Sequence, residues 1–155
     1  MAEKKYAKYV LPLPTRNPND KPGGAVGYTW EGIYAHKDQL GGAPCTFVFY
    51  YITETFEEGP PHRHNAHQLL IFAGGDPKNI RDFDAEIEIG LGDEQEIQTI
   101  TSPAVVSIPP GLMHCPLRIK RLTKPILFFE MVLEKDYQRV SEGGKPTTEV
   151  YVKKI

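Results

Sequence analysis

The chain has 155 residues, a formal net charge of −2 at pH 7 and a hydrophobic content of 40%. These values suit one soluble domain that buries its own core. The near-neutral charge excludes a strongly basic surface for nucleic acid or anionic lipid, and the sequence has no apolar run long enough to cross a membrane, so neither partner is expected.

The N-terminal segment and the cysteines predict a cytoplasmic location. Pro12 and Pro14 interrupt the segment, which lacks the apolar stretch of a signal peptide. No secretory context requires a disulfide between Cys45 and Cys115, so both thiols are expected to be free.

Residues 1–24 are polar and rich in proline, which predicts an arm or an early edge strand, and residues 25–155 are expected to form the folded domain. Runs dense in β-branched and aromatic residues, or runs that alternate apolar and polar residues, predict strands. The predicted strands cover residues 27–34, 45–52, 62–72, 83–91, 95–101, 104–108, 117–120, 126–133 and 150–152.

The segments between these strands predict a turn at 54–61, a loop at 73–82 and one short helix at 135–143. Residues 74–84 are interpreted either as a lid or as a simple hairpin excursion. About nine to eleven short strands separated by turns predict an all-β sandwich or small barrel.

Three of the five histidines follow a pattern that predicts a metal site. His62 and His64 are two residues apart on a predicted strand, so their side chains point to the same face. His114 ends the segment Pro109-Pro-Gly-Leu-Met-His, and it can join them if the fold brings it alongside. Neutral imidazole is the commonest protein ligand of Zn, Fe, Ni and Cu. His36 carries no such pattern.

These residues, together with the predicted strands, resemble the motifs of the cupin superfamily. Gly59, His62 and His64 match its first motif, and Pro109, Gly111 and His114 match its second, all within residues 59–116. The resemblance implies an all-β, single-domain fold, the cupin-type double-stranded β-helix or jelly-roll barrel. It also implies one divalent transition metal ion (Fe, Ni, Mn or Zn) held by His62, His64 and His114.

The chain departs from the family pattern at the position of a glutamate ligand, where it has Gln68. If the strand is regular, Gln68 shares a face with His62 and His64, which favours it as the fourth metal ligand. Three histidines and a glutamine would leave a divalent ion with its full charge and strengthen it as a Lewis acid. The alternative is that Gln68 does not touch the ion and orients a histidine through its amide.

Glu130 interrupts the apolar run at 126–133 and is the candidate catalytic residue. Strand alternation places it on the face of Phe128 and Val132, where it would act as a general base if that face is inside the barrel; otherwise it faces solvent. His67 should point away from the metal unless a bulge turns it inward. Cys115 follows His114 and is interpreted as a core residue. Tyr50, Phe72 and Phe47 are candidates for an apolar pocket or for plain core.

The resemblance implies a small metalloenzyme of the dioxygenase, isomerase, lyase or decarboxylase type. Such an enzyme would coordinate an oxygen of a small-molecule substrate at open metal positions. The alternatives are a non-catalytic module that binds a small ligand and a structural barrel that the metal stabilises, because one fold hosts many functions. The family also implies a homodimer, for which the arm with Tyr6, Tyr9, Val10 and Leu11 is suited.

Overall fold

Short strands dominate the part of the chain that the structure describes. The structure is a computed structural model, and it describes residues 4–12, 15–16, 32–134, 138–147 and 151–153. The strands are β1 (Thr15–Arg16), β2 (Gly32–Ala35), β3 (Thr46–Ile52), β4 (Phe56–Gly59), β5 (His62–His64), β6 (His67–Gly74), β7 (Ala85–Leu91), β8 (Glu96–Ile100), β9 (Ala104–Ile108), β10 (His114–Leu122), β11 (Ile126–Leu133), β12 (Arg139–Ser141) and β13 (Tyr151–Lys153). Two short 3-10 helices cover Ala7–Tyr9 and Lys37–Gln39. The predicted all-β class is confirmed.

The strands pair into two antiparallel sheets. The first sheet has the order β1-β2-β3-β11-β6-β9. In the second sheet β10 is central: β4 and β5 lie end to end along one of its edges, and β7 followed by β8 lies along the other. β12 and β13 pair with the outer edges of β5 and β4. Among the described residues, no helix is long and apolar enough to cross a membrane.

The core lies between the two sheets and is made by side chains at alternate positions of each strand. In β3, Tyr50 and Ile52 point inward and are buried, whereas Tyr51 between them is 47% exposed. Phe72 of β6 packs against Phe128 of β11 with ring centroids 5.1 Å apart. Tyr50 and Phe72 belong to this core cluster. Each such large side chain stabilises the fold by about 1.5–3 kcal/mol through burial.

Several predicted strands agree with the observed bounds within a residue or two. The structure differs from the prediction at the expected turn, 54–61, and at the expected helix, 135–143. The predicted turn at 54–61 contains β4, whose pairing with β10 and β13 comes from distant parts of the chain. The predicted helix at 135–143 is wrong because residues 139–141 form β12, which pairs with β5. Residues 135–137 lie outside the described residues.

The predicted strand at 62–72 is broken at Asn65 and Ala66, where the chain passes from the second sheet to the first. The regular strand assumed for Gln68 therefore does not exist. Gln68 is nevertheless buried on the inner face of β6, because the bend between the sheets directs both segments toward the same interior.

Most of the arm and much of the predicted strand at 27–34 lie outside the described residues, so the boundary near residue 24 stays a prediction. The predicted final strand at 150–152 is confirmed at 151–153 by β13. The loop after β6 is tied back on itself, since the Gly74 N–H donates to Ile80 O at 2.7 Å. A Cβ on Gly74 would lie 2.4 Å from Asp82 O, so this close approach requires glycine. A lid function for this loop stays a prediction.

Glu57 is a buried carboxylate in the segment predicted as a turn, and it has a structural role. It accepts from Arg118 Nε at 2.5 Å and from Lys153 Nζ at 2.8 Å. The bond from Lys153, followed by that from Arg118, lowers the pKa of Glu57 against the opposing effect of burial. The pair of cations therefore keeps Glu57 ionised and ties β4 to β10 and β13.

Candidate metal centre

Three buried histidine rings face one another at one end of the second sheet. His62 and His64 lie on the inner face of β5, and Arg63 between them points outward to an ion pair with Asp93. His114 begins β10 directly opposite His62. The ring centroids lie 4.4 Å (His62 and His114), 4.8 Å (His62 and His64) and 4.9 Å (His64 and His114) apart. One nitrogen from each ring lies within 4.8 Å of the others, a grouping that could hold a metal ion.

An irregularity in β10 brings His114 to this face. Leu117 and Ile119 point inward, and strict alternation would put His114 on the opposite side of the sheet. The register against β7 shifts between His114 and Leu117, and Cys115 takes a positive φ of 73°. This bulge lets His114 and Leu117 both face inward. Cys115 is buried in the hydrophobic core, as expected, although the strand is not regular there.

The turn before His114 ties the two histidine motifs together. Gly111 has φ +85°, a left-handed conformation that glycine adopts without strain. Its N–H donates to His64 O at 2.8 Å, and the Leu112 N–H closes the turn by donating to Pro109 O at 3.2 Å. The glycine and proline of the second motif therefore place His114 beside the strand that carries the first motif.

All three imidazoles are oriented in the same way, because in each ring Nδ1 contacts a backbone carbonyl oxygen. The Nδ1 atom lies 2.8 Å from Pro60 O in His62, 3.3 Å from Gln138 O in His64 and 3.0 Å from Leu112 O in His114. A carbonyl oxygen only accepts, so these contacts favour the tautomer that carries the proton on Nδ1 and has Nε2 as the acceptor nitrogen of the ring. Metal-binding histidines have this arrangement, in which the other ring nitrogen donates to a carbonyl or carboxylate.

Burial keeps the three rings neutral. Desolvation, assisted by neighbouring positive charge, lowers the pKa of His62 to about 2 and that of His64 to about 3. Desolvation also lowers the pKa of His114 to about 4. A proton therefore does not compete with a metal ion for these lone pairs at neutral pH.

Two buried acceptor atoms have no hydrogen-bond partner among the described residues, His114 Nε2 and Gln68 Oε1. A buried acceptor without a partner costs about 1–3 kcal/mol. A divalent cation held by the three imidazoles would satisfy His114 Nε2, and imidazole nitrogen is a ligand that Fe, Ni, Mn and Zn accept. The residues present therefore fit a transition metal.

Gln68 and Glu130 form a hydrogen-bonded pair that joins β6 to β11. Gln68 Nε2 donates to Glu130 Oε1 at 2.6 Å. Because an ionised carboxylate only accepts, this contact fixes the orientation of the Gln68 amide and directs its oxygen away from Glu130. Glu130 lies on the face of β11 shared with Phe128 and Val132 and contacts the buried Gln68, so of the two orientations that the sequence leaves open the structure has the inward one.

The remaining histidines lie outside this group. His67 Nε2 lies 2.8 Å from Ser107 Oγ on the opposite face of β6, as strand alternation predicted. His36 precedes the 3-10 helix at 37–39 and is 3.5 Å from Asp38. Neither belongs to the cluster of possible ligands within the described part of the chain.

Arg139 is the residue near the site that the sequence reasoning missed. It lies in β12 directly opposite His64, and its Nη2 atom is 2.8 Å from His62 Nδ1. The run Arg139-Val-Ser contains a β-branched residue, which is a weak strand signal that could have identified this position. The sequence analysis predicts a helix there instead.

Comparison with known proteins found similarity in three-dimensional structure only. No protein-family model and no curated protein sequence matched the chain. Among solved structures, the coconut allergen cocosin is similar with a TM-score of 0.51 at 12% identity, over 72% of this chain and 32% of that one. Procruciferin, an 11S globulin from Brassica napus, has a TM-score of 0.51 at 14% identity, over 81% of this chain and 32% of that one.

A mutant of oxalate decarboxylase from Bacillus subtilis also has a TM-score of 0.51, at 13% identity over 82% of this chain and 30% of that one. The chain has the cupin fold. It spans about a third of the length of these structures, 30–32%. Identities this low show the fold alone, and the same fold carries a globulin and a decarboxylase.

Proposed function

We propose that this chain is a small metalloenzyme of the cupin fold that acts on a small oxygenated molecule. Its ligands for one divalent transition metal ion are His62, His64 and His114, with the Gln68 oxygen as the fourth. The observation that carries the proposal is the convergence of three buried imidazoles. The inward-facing Gln68–Glu130 pair supports a catalytic role, since a purely structural site has no need of an acid–base group in the same interior.

All four proposed ligands are neutral, which determines the electrostatics of the site. A carboxylate in place of Gln68 would cancel one unit of a divalent ion's charge, whereas the amide cancels none. When bound, the ion would supply Lewis-acid polarisation of a substrate oxygen. Four protein ligands leave two positions of an octahedron for substrate.

Glu130 is the proposed general base. Its carboxylate is held by the Gln68 amide on the inner face of β11, among the apolar side chains of Phe128 and Val132. A proton taken from a substrate carbon or oxygen would pass to Glu130. Gln68 holds the carboxylate in one orientation through its amide.

The test is metal content followed by ligand binding. Protein purified without affinity resin or chelator should contain close to one equivalent of a divalent transition metal, measured by elemental analysis. The cobalt-substituted form should change its visible spectrum when small oxygen ligands are added, without unfolding. Protein that contains no metal and takes none up on reconstitution would refute the proposal.

A structural role for the metal is the second candidate, and the burial of the site favours it. His114 is 1% exposed and His64 is 3% exposed, so the site is largely enclosed by the barrel. In that case the metal would resist exchange, its removal would lower the melting temperature sharply, and oxygen ligands would leave the cobalt spectrum unchanged. The spectral titration separates the two functions.

The hydrogen bond between Gln68 and Glu130 allows a prediction about stability for the variant Gln68→Glu, which has the glutamate of the family pattern at this position. In the metal-free protein, Gln68→Glu places two carboxyl groups at 2.6 Å, so at pH 7 either two negative charges repel each other or one group must be protonated at a cost in free energy. The expected loss of unfolding free energy at pH 7 is about 1–3 kcal/mol. The double variant Gln68→Glu/Glu130→Gln restores one donor and one acceptor and should recover most of that loss. Urea denaturation of the four proteins gives the coupling energy.

A second glutamine–glutamate contact in the chain provides a matched control for this double-mutant comparison. Gln98 Nε2 also donates to a glutamate, Glu96, at 2.6 Å, but on an exposed strand. Gln98→Glu should change stability by less than about 0.5 kcal/mol because water solvates both carboxylates. Equal losses for Gln68→Glu and Gln98→Glu would contradict the buried pair, as would a double variant no more stable than Gln68→Glu.

The homodimer implied by the family stays a prediction. Tyr6, Tyr9 and Val10 of the arm are exposed at 65%, 70% and 81%, so these apolar side chains are available to a second copy. The partner that the site itself requires is a small-molecule substrate.

A further inference from the structure

Arg139 directs a positive charge at the proposed metal site from outside the ligand set. Residues directly opposite in an antiparallel pair have their side chains on the same face, and Arg139 lies opposite His64. Its guanidinium therefore lies on the histidine side of the sheet, where Nη2 is 2.8 Å from His62 Nδ1. The positive charge of Arg139 contributes to the lowered pKa of each of the three histidines.

The contact with His62 does not satisfy Arg139 when the site is ready to bind a metal. His62 Nδ1 is also 2.8 Å from Pro60 O, and one ring nitrogen cannot donate to a carbonyl and accept from a guanidinium at once. In the tautomer that leaves Nε2 free for a metal, Nδ1–H donates to Pro60. Nη2 of Arg139 then has no acceptor at His62.

A second donor of the same guanidinium also lacks a partner. The Nε atom of Arg139 is buried and has no acceptor among the described residues. None of the ion pairs found among those residues involves Arg139. By contrast, the neighbouring outward-facing Arg63 has a carboxylate partner at 2.8 Å. In that tautomer two donors of the guanidinium have no acceptor among the described residues, which suits it to bind an anion.

Arg139 also lines a cleft. The cleft has a volume of about 420 Å³ and is lined by Gln138, Arg139, Val140, Pro146 and Thr147. This volume is suited to a small molecule. Arg139 is the cationic residue of this lining, and the same side chain contacts His62 through Nη2.

We propose that Arg139 binds the carboxylate of a small carboxylic acid that enters through this cleft, so that the substrate class of the site is a small carboxylate. The inference rests on the proposed function for the metal but concerns a different residue. A planar carboxylate matches the two adjacent donors of one guanidinium, whereas a phosphate dianion usually requires more positive charge than one arginine supplies. The neutral ligand set leaves the positive charge of the ion to attract the same anion.

The location of Arg139 also makes metal binding and carboxylate binding cooperative. Without an anion, the guanidinium repels a divalent ion, and its contact with His62 Nδ1 favours the tautomer that cannot bind the ion. A bound carboxylate removes both effects. Arg139→Met should therefore raise metal affinity in the absence of anions by at least about fivefold, the lower end of ordinary coupling between sites.

The experiment measures binding and needs no assay of activity. Malonate and acetate are titrated calorimetrically into zinc-loaded and into metal-free protein, and inorganic phosphate is titrated in parallel. We expect Arg139→Gln to keep its zinc and to lose at least about tenfold in malonate affinity, the loss typical of one charge-assisted contact. Arg139→Lys keeps the charge but not the two adjacent N–H donors. Its malonate affinity should lie between those of the wild type and Arg139→Gln. Arg63→Gln is the matched control and should bind malonate like the wild type.

The outcomes separate this inference from the proposed function. Malonate binding that survives Arg139→Gln unchanged would overturn the inference, as would tighter binding of phosphate than of malonate or binding of no carboxylate in either form. Arg139-dependent malonate binding by protein that takes up no metal would support the inference and refute the metalloenzyme. Unchanged metal affinity in Arg139→Met would overturn the cooperativity.

Discussion

Replacing His114 by alanine is expected to lower the affinity for a divalent metal ion by more than about 100-fold, because residues that only orient a ligand already cost 10- to 100-fold when removed. His114 supplies one of three converging imidazoles, and its Nε2 atom is buried without a partner among the described residues. Alanine leaves two histidines and the neutral Gln68 oxygen of the proposed ligand set, and the amide oxygen is a weaker ligand than imidazole for these metals. Metal content after gel filtration and competition with a chromophoric chelator measure the loss.

The controls for this prediction are histidines outside the cluster. His67→Ala and His36→Ala should retain one equivalent of metal, since His67 faces Ser107 and His36 faces Asp38. His64→Ala should behave like His114→Ala, and far-ultraviolet circular dichroism checks that each variant is folded. Full metal content in both His64→Ala and His114→Ala would show that the ligand assignment is wrong.

The metal-free protein is expected to lose stability steeply as the pH falls below about 6.5, the ordinary pKa of histidine. In the folded state the pKa values of His62, His64 and His114 are about 2, 3 and 4. Between these values and 6.5, the unfolded chain binds more protons than the folded one, so acid favours unfolding. The free energy of unfolding is therefore highest above pH 6.5 and falls as the pH is lowered below that value. For three protons the fall is up to about 4 kcal/mol per pH unit.

Urea denaturation of chelator-treated protein at pH 7.5, 6.5 and 5.5 measures this slope. The range stays above the ordinary pKa values of carboxyl groups, about 4, so protonation of histidine dominates in the unfolded chain. Removing one buried imidazole, as in His64→Gln, should lower the slope by up to one proton. A stability that stays constant from pH 7.5 to 5.5 would show that the three histidines are not held neutral by burial.

Local sequence pattern predicted several strands because their side chains match the surfaces they face. The observed β9 and β11 have the predicted bounds of 104–108 and 126–133, and β3 begins one residue later than predicted. Each of these runs is dense in β-branched and aromatic residues, which suit a buried pleated surface wherever it pairs. Their strand character could therefore be determined locally.

The wrong assignments fell where pairing partners are distant in the chain. β4 forms at Phe56–Gly59 because β10 and β13 lie on either side of it, and the ion pairs of Glu57 hold all three. β12 forms at Arg139–Ser141 because β5 offers it an edge. The local sequences favour a turn and a helix, and tertiary hydrogen bonds override such weak preferences.

The sequence by itself determined the kind of site. The spacing of His62 and His64 and the turn residues before His114 predict converging imidazoles, because strand alternation and turn geometry are local properties. Only the tertiary structure decided which further groups surround them. The bulge at Cys115 that turns His114 inward, the pairing of Gln68 with Glu130, and the approach of Arg139 to His62 join residues 62 to 77 positions apart or depend on sheet register. Contacts of that kind arise when strands pair, and no pattern within one strand encodes them.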